Sequence, residues 1–161
     1  MLRGVELSRD VLWGCTTHAL TTEHEEILGL LLGTIQENTA YITRSHVLTR
    51  KVKLKDRVEV GYEDLASASE LAEQFSAADG SYSRVVGWYH SHPHITVFPS
   101  HVDVRTQGQY QQLDQHFIGL IFSVFDKNIN SVCAFQSLET AESGWQKLEI
   151  PLWVQPSPLS R

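Results

Sequence analysis

Hydrophobic positions along this chain recur with two periods, and the switches between them mark out the elements. Ser8 can cap a first helix, in which Val11, Leu12, Cys15 and Ala19 share one face at helical spacing. Thr21 to Glu26 is polar and reads as a loop. Ile27 to Ile35 is apolar enough for a central strand, and Gly29 and Gly33 would weaken it unless another element approaches closely there. Glu37-Asn38 turns the chain into a second strand, Tyr41 to Leu48. Val52 to Val60 alternates apolar and charged residues, as a half-exposed strand or an irregular connection does. Glu63 to Ala77 is the clearest helix: Leu65, Ala68, Ala72 and Phe75 form a core stripe, and Asp79-Gly80-Ser81 turns the chain after it.

The second half opens on Arg84-Val85-Val86-Gly87-Trp88-Tyr89, a buried strand that runs on to His92 and stops at Pro93. A loop broken by Pro99 leads to a helix from Ser100 to about Asp114. Phe117 to Phe125 is a strong strand, turned by Asp126-Lys127-Asn128 into another at Ser131 to Gln136. Lys147 to Val154 reads as a last strand, with Pro151 placing it at an edge. Short strands mixed with three helices predict an α+β fold with a mostly antiparallel sheet flanked by helices. With 161 residues and no internal break, one domain is expected over residues 1–154, and Gln155 to Arg161 has tail composition.

The candidate chemistry lies between His90 and Asp103, where four of fourteen residues are histidine. His90 and His92 are two apart on a strand, so their imidazoles point to the same face. Ser100 fits a helix N-cap with Asp103 in the first turn, and that carboxylate can swing back to the two rings. Ser-x-x-Asp is also an ordinary capping box, which needs no catalytic role. Two nitrogens and one oxygen are the ligand set of hydrolytic zinc sites, with a fourth position left for water. Amide hydrolysis then needs a base, and the chemistry alone leaves Glu23, Glu25 and Glu26 open.

His-x-His-Pro, a six-residue gap and Ser-x-x-Asp resemble the JAMM (MPN+) signature of zinc isopeptidases. Glu26-Ile27-Leu28-Gly29-Leu30-Leu31-Leu32-Gly33 looks like that family's glutamate-bearing segment. Thr22 to Ile27, Lys55 to Glu59, Trp88 to Val97 and Val102 to Gln107 resemble the BRCC-type deubiquitinases of the BRISC complex. The resemblance implies an MPN/JAMM (cytidine-deaminase-like) domain with one catalytic zinc on His90, His92 and Asp103. It assigns Glu26 as general base and has Ser100 hydrogen-bond the tetrahedral intermediate. It further implies ubiquitin chains as substrate, lysine-63 linkage, a catalytically inert MPN-fold partner, a place in cytoplasm and nucleus and a part in DNA repair. The tail at 155–161 would begin a C-terminal extension. Because Glu26 follows a polar segment with few apolar anchors, the 161-residue chain alone is expected to cleave weakly. A partner packed on the first helix near Val11, Leu12 and Ala19 would then fix the base. The competing class is a scaffold of the same fold, inactive by itself; five intact motif residues argue against it.

Composition trims the alternatives. Net charge is −6, and the densest basic run, Arg50, Lys51, Lys53 and Lys55, is a solvated strand end or loop rather than a nucleic-acid surface. The longest apolar run, Ile27 to Gly33, is too short to span a bilayer, and two isolated cysteines, Cys15 and Cys133, fit a reduced intracellular setting as buried small hydrophobes. His24-Glu25-Glu26-Ile27-Leu28 lacks the second histidine of His-Glu-x-x-His, the Pro-Cys-x-x-Cys that a nucleobase deaminase needs is missing, and no Gly-x-Ser-x-Gly turn supports a serine triad. His94 and His101 are expected at the rim, and His18, His24, His46 and His116 as ordinary surface or core residues. Thr96, Val97 and Phe98 fit either a substrate channel or loop packing, whereas Trp88 and Tyr89 are expected in the core.

Overall fold

The computed structural model describes residues 1–49, 60–80, 82–127, 129–142 and 144–156. The basic run, the alternation read over Val52 to Val60 (Val60 excepted), the Lys55–Glu59 match and the end of the tail lie outside them.

In chain order the elements are β1 (Gly4–Leu7), α1 (Arg9–Ala19), β2 (Leu28–Gln36), β3 (Thr39–Leu48), α2 (Tyr62–Asp79), β4 (Arg84–Pro93), α3 (His101–Leu113), β5 (Ile118–Asp126), β6 (Ile129–Thr140), β7 (Gly144–Ile150) and β8 (Leu152–Val154). The described strands form one sheet in the order β7-β6-β5-β4-β2-β3-β1-β8. Four neighbouring pairs are antiparallel, and β4–β5, β1–β3 and β1–β8 are parallel. The α+β expectation and the three helices hold.

One predicted element divides. Lys147 to Val154 is two strands rather than one, with β7 on one edge of the sheet and β8 on the other. Only Pro151 separates them, and a single residue carries the chain no more than about 7 Å from Cα to Cα across its two bonds. The sheet must therefore curl until its edges nearly meet. Pro151 has no N–H to give a ladder, but its carbonyl accepts from Val5 N at 2.9 Å. β1 has too few residues to show a period.

The two glycines of β2 have the close neighbours they require. A Cβ on Gly29 would lie 2.2 Å from the Tyr89 ring, and one on Gly33 would lie 1.8 Å from the Tyr41 carbonyl oxygen. Glu37 and Asn38 both take positive φ, 51° and 62°, as a two-residue hairpin turn demands.

Alternation along the central strands separates two cores. Leu31, Tyr89 and Leu120 face α1 with Val11, Cys15 and Ala19; Leu30, Trp88 and Ile121 face the other way, with Ala68 of α2 and Tyr110 of α3. β4 lies between β2 and β5 and is buried on both faces. Its even residues, Trp88, His90 and His92, therefore share the face covered by α3.

Candidate metal centre

Each side chain of the cluster reaches it through a local rule. β4 delivers His90 and His92, which are 0% and 2% exposed, with ring centroids 5.1 Å apart. After Pro93 the chain turns sharply: His94 takes φ 67°, donates its N–H to Val124 O at 2.8 Å and stacks on Phe125. The following loop is held by its carbonyls, with Ser123 Oγ donating to Ile95 O, His92 Nδ1 to Thr96 O and Cys133 Sγ to Val97 O. Phe98 stays exposed, with the Lys147 ammonium 4.3 Å above its ring. Thr96 and Val97 thus serve the loop's anchorage through their backbone.

α3 begins with a complete capping box. Ser100 Oγ accepts from Asp103 N at 3.0 Å, and Asp103 Oδ2 accepts from Ser100 N at 2.9 Å. The cap reading of Ser-x-x-Asp is realised, and the cap also aims Asp103 at the two histidines. Asp103 Oδ2 lies 3.0 Å from His92 Nε2, and Oδ1 lies 3.4 Å from His90 Nε2. Glu26 arrives from the end of the loop before β2, with Oε1 at 3.0 Å from His90 Nδ1. Ile27 fixes its backbone: Ile27 N donates to Ser91 Oγ at 2.9 Å, and Ile27 O accepts from Ser91 N at 3.2 Å. Thr21 to Glu25 is exposed or half-buried, as its composition predicts, and the anchor beside Glu26 is polar and comes from the residue after it. Ser91 was not foreseen as a contributor; a serine on the α1-facing side of an apolar strand was its signal.

Glu26, His90, His92 and Asp103 place one potential ligand atom each within 4.8 Å of one another. Ser100 stands beside them as the cap rather than within this group. The electrostatics call for a cation. The Thr96 carbonyl can only accept, so His92 Nδ1 carries the hydrogen; in a neutral ring Nε2 then turns a lone pair toward a carboxylate oxygen. Both nitrogens of His90 are buried without an aligned hydrogen bond despite the nearby carboxylates. Burial alone would lower the His90 pKa, but Asp103 and then Glu26 outweigh it and hold it above its ordinary value. Burial would likewise raise Asp103; His90, His92 and the Ser100 N–H overcome it and bring the carboxyl down to about 2. Two ligands ~2.1 Å from a shared tetrahedral ion stand ~3.4 Å apart, close to the observed Asp103–histidine separations. The donor set therefore fits a divalent cation.

The remaining histidines lie elsewhere. His101 is exposed on α3, and His18 Nδ1 is 2.8 Å from the Tyr89 hydroxyl on the opposite side of the sheet. Val11, Cys15 and Ala19 are buried in the α1 core and Leu12 packs against it, so this face offers nothing to a partner. The exposed apolar residue of α1 is Trp13.

A family model described as JAB1/Mov34/MPN/PAD-1 ubiquitin protease matches residues 1–116. The chain belongs to this family. As a JAB-family chain it is similar to proteins named lysine-63-specific deubiquitinase BRCC36. Identity is 44% with that of Xenopus tropicalis, 43% with that of Mus musculus and 46% with that of Camponotus floridanus, over 96%, 96% and 98% of this chain. It spans 62%, 64% and 62% of those relatives' lengths. A solution structure of a Desulfitobacterium hafniense protein shares the fold, with a TM-score of 0.65, 21% identity and 94% coverage of both chains. The MPN fold expected from the motifs is thus shown, with the cluster at its motif positions.

Proposed function

We propose that this chain is the catalytic module of a zinc-dependent deubiquitinase that hydrolyses isopeptide bonds in ubiquitin chains. The observation that carries the reading is the convergence of His90, His92, Asp103 and Glu26 within 4.8 Å, with both ring nitrogens of His90 facing carboxylates and making no aligned hydrogen bond among the described residues. His90, His92 and Asp103 would hold the ion. A zinc ion there would supply Lewis-acid chemistry, of the kind that makes water acidic enough to attack an amide near neutral pH. Glu26 is the more accessible carboxylate, with a side chain 29% exposed against 9% for Asp103. It takes the attacking water's proton and returns it to the leaving lysine amine. Ser100 Oγ accepts the Asp103 N–H and keeps its own hydrogen for the oxyanion.

The relatives' name supports lysine-63-linked chains as substrate. The reading includes a catalytically inert MPN-fold partner subunit, docked elsewhere than on the buried face of α1, and a cytoplasmic and nuclear location. Unpaired Cys15 and Cys133 fit the latter. Among the described residues no helix is long and apolar enough to cross a membrane. The test is cleavage of lysine-63-linked against lysine-48-linked di-ubiquitin by the zinc-loaded protein, with and without its partner. Cleavage of the first alone supports the reading; absence of cleavage in the assembled complex overturns it.

A further inference from the structure

The helix carrying Asp103 and the strand carrying the two histidines are joined by one buried amide. Gln107 is 0% exposed and lies one helical turn after Asp103, on the same side of α3. Its Oε1 accepts from Trp88 Nε1 at 2.7 Å, and its Nε2 donates to Phe117 O and Gln111 Oε1, both at 2.8 Å. The amide orientation is unambiguous, because an indole N–H only donates and a backbone carbonyl only accepts. Trp88 in turn lies against His90, with ring centroids 4.8 Å apart.

The surroundings are shaped for this contact. A Cβ on Gly119 of β5 would lie 3.0 Å from Gln107 Oε1 and 2.7 Å from the Phe135 ring. A Cβ on Gly108 would lie 2.5 Å from the Trp145 ring of β7. Two glycines thus let α3 sit close enough for Gln107 to span to β4. A buried amide with these partners is costly to displace, since each unmet group carries the full desolvation penalty.

We propose that Gln107 is a positioning residue for the metal centre: through Trp88 it fixes His90, and through its own helical turn it fixes Asp103, setting the separation of the two ligands. The proposal rests on the reading of that cluster as a metal site. It assigns the glutamine a task at the site although it touches neither metal nor substrate.

The experiment measures zinc affinity of the intact protein by chelator competition, with thermal melting as a separate readout. Gln107→Met removes the amide at nearly constant volume and should weaken zinc by about 10- to 100-fold. Trp88→Phe removes only the indole donor and part of the ring, and should act in the same direction. The double variant should be no worse than Gln107→Met, because both single changes break one linkage. Gln136→Met is the structural control. Gln136 is equally buried and shares the Phe117 carbonyl, but otherwise reaches Leu2 and Gln115 rather than Trp88. It should lower the melting temperature and leave zinc affinity within roughly twofold. Parental zinc affinity in Gln107→Met, or an equal loss in Gln136→Met, overturns the proposal. Should Gln107→Met fail to fold, parental affinity in Trp88→Phe overturns it instead. A parent protein that binds no zinc overturns the metal reading, and this proposal with it.

Discussion

His92 and Asp103 face each other at 3.0 Å, imidazole Nε2 to carboxylate Oδ2, while the far nitrogen of the same ring is held by the Thr96 carbonyl at 2.8 Å. A carbonyl on one side fixes the tautomer, and a carboxylate on the other then confronts a lone pair. Only a proton or a metal ion between them makes the pair favourable.

Metal occupancy follows from that geometry. The protein should bind one zinc per chain. His92→Ala should lose it, because one of three ligands and the Thr96 anchorage go together. Elemental analysis after dialysis checks this; stoichiometric zinc in a His90→Ala, His92→Ala double variant would sink the ligand assignment.

Ser100 has two tasks that substitution can separate. Alanine at an N-cap costs about 1 kcal/mol of stability, whereas glycine costs only a few tenths. Ser100→Gly should therefore melt closer to the parent than Ser100→Ala. Both should lose on the order of 10²–10³ in kcat if the hydroxyl donates to the oxyanion. Rates that track melting temperature instead would reduce Ser100 to a cap.

The metal-free protein should carry a pH signature. Asp103 has its pKa depressed to about 2 by His90, His92 and the Ser100 N–H against the cost of burial. Its contribution, roughly 2 kcal/mol by linkage, is present above the unfolded value near 4 and is lost as pH falls toward 2. His90 is raised, so its contribution is full below about 6.5 and fades as pH climbs through its folded value. Denaturant melts of the metal-free protein at pH 2 to 5 should show a decline that Asp103→Asn flattens. An unchanged slope in that variant would show that other carboxylates govern acid unfolding.

How far the sequence spoke for itself depended on local pattern. His90 and His92 were legible because strand periodicity fixes which side chains share a face, and Asp103 because a cap fixes the first turn of a helix. Glu26 was harder: three glutamates are close together, and only its pairing through Ile27 and Ser91 brings it to His90. β1 was invisible at four residues, and the split at Pro151 depends on sheet closure, a property of the whole fold. Gln107 was hidden by its neighbours. It sits in Arg105-Thr106-Gln107-Gly108-Gln109-Tyr110-Gln111-Gln112, a run with a single large apolar residue, yet Thr106, Gln107 and Gly108 are buried. Polar residues satisfied by other buried polar residues leave no hydrophobic period behind.

In the proposed mechanism Glu26 moves the proton at a metal site built by His90, His92 and Asp103. The most direct test is Glu26→Gln, assayed for zinc content and for cleavage of lysine-63-linked di-ubiquitin beside the parent protein, in the same assembled complex. The amide keeps the size of the side chain but cannot take the water's proton. Full zinc content with cleavage reduced by a factor of 10² or more, in the usual range for a lost general base, is the predicted result. Cleavage at the parental rate with zinc retained would contradict it and return the role to Glu25 or Glu23.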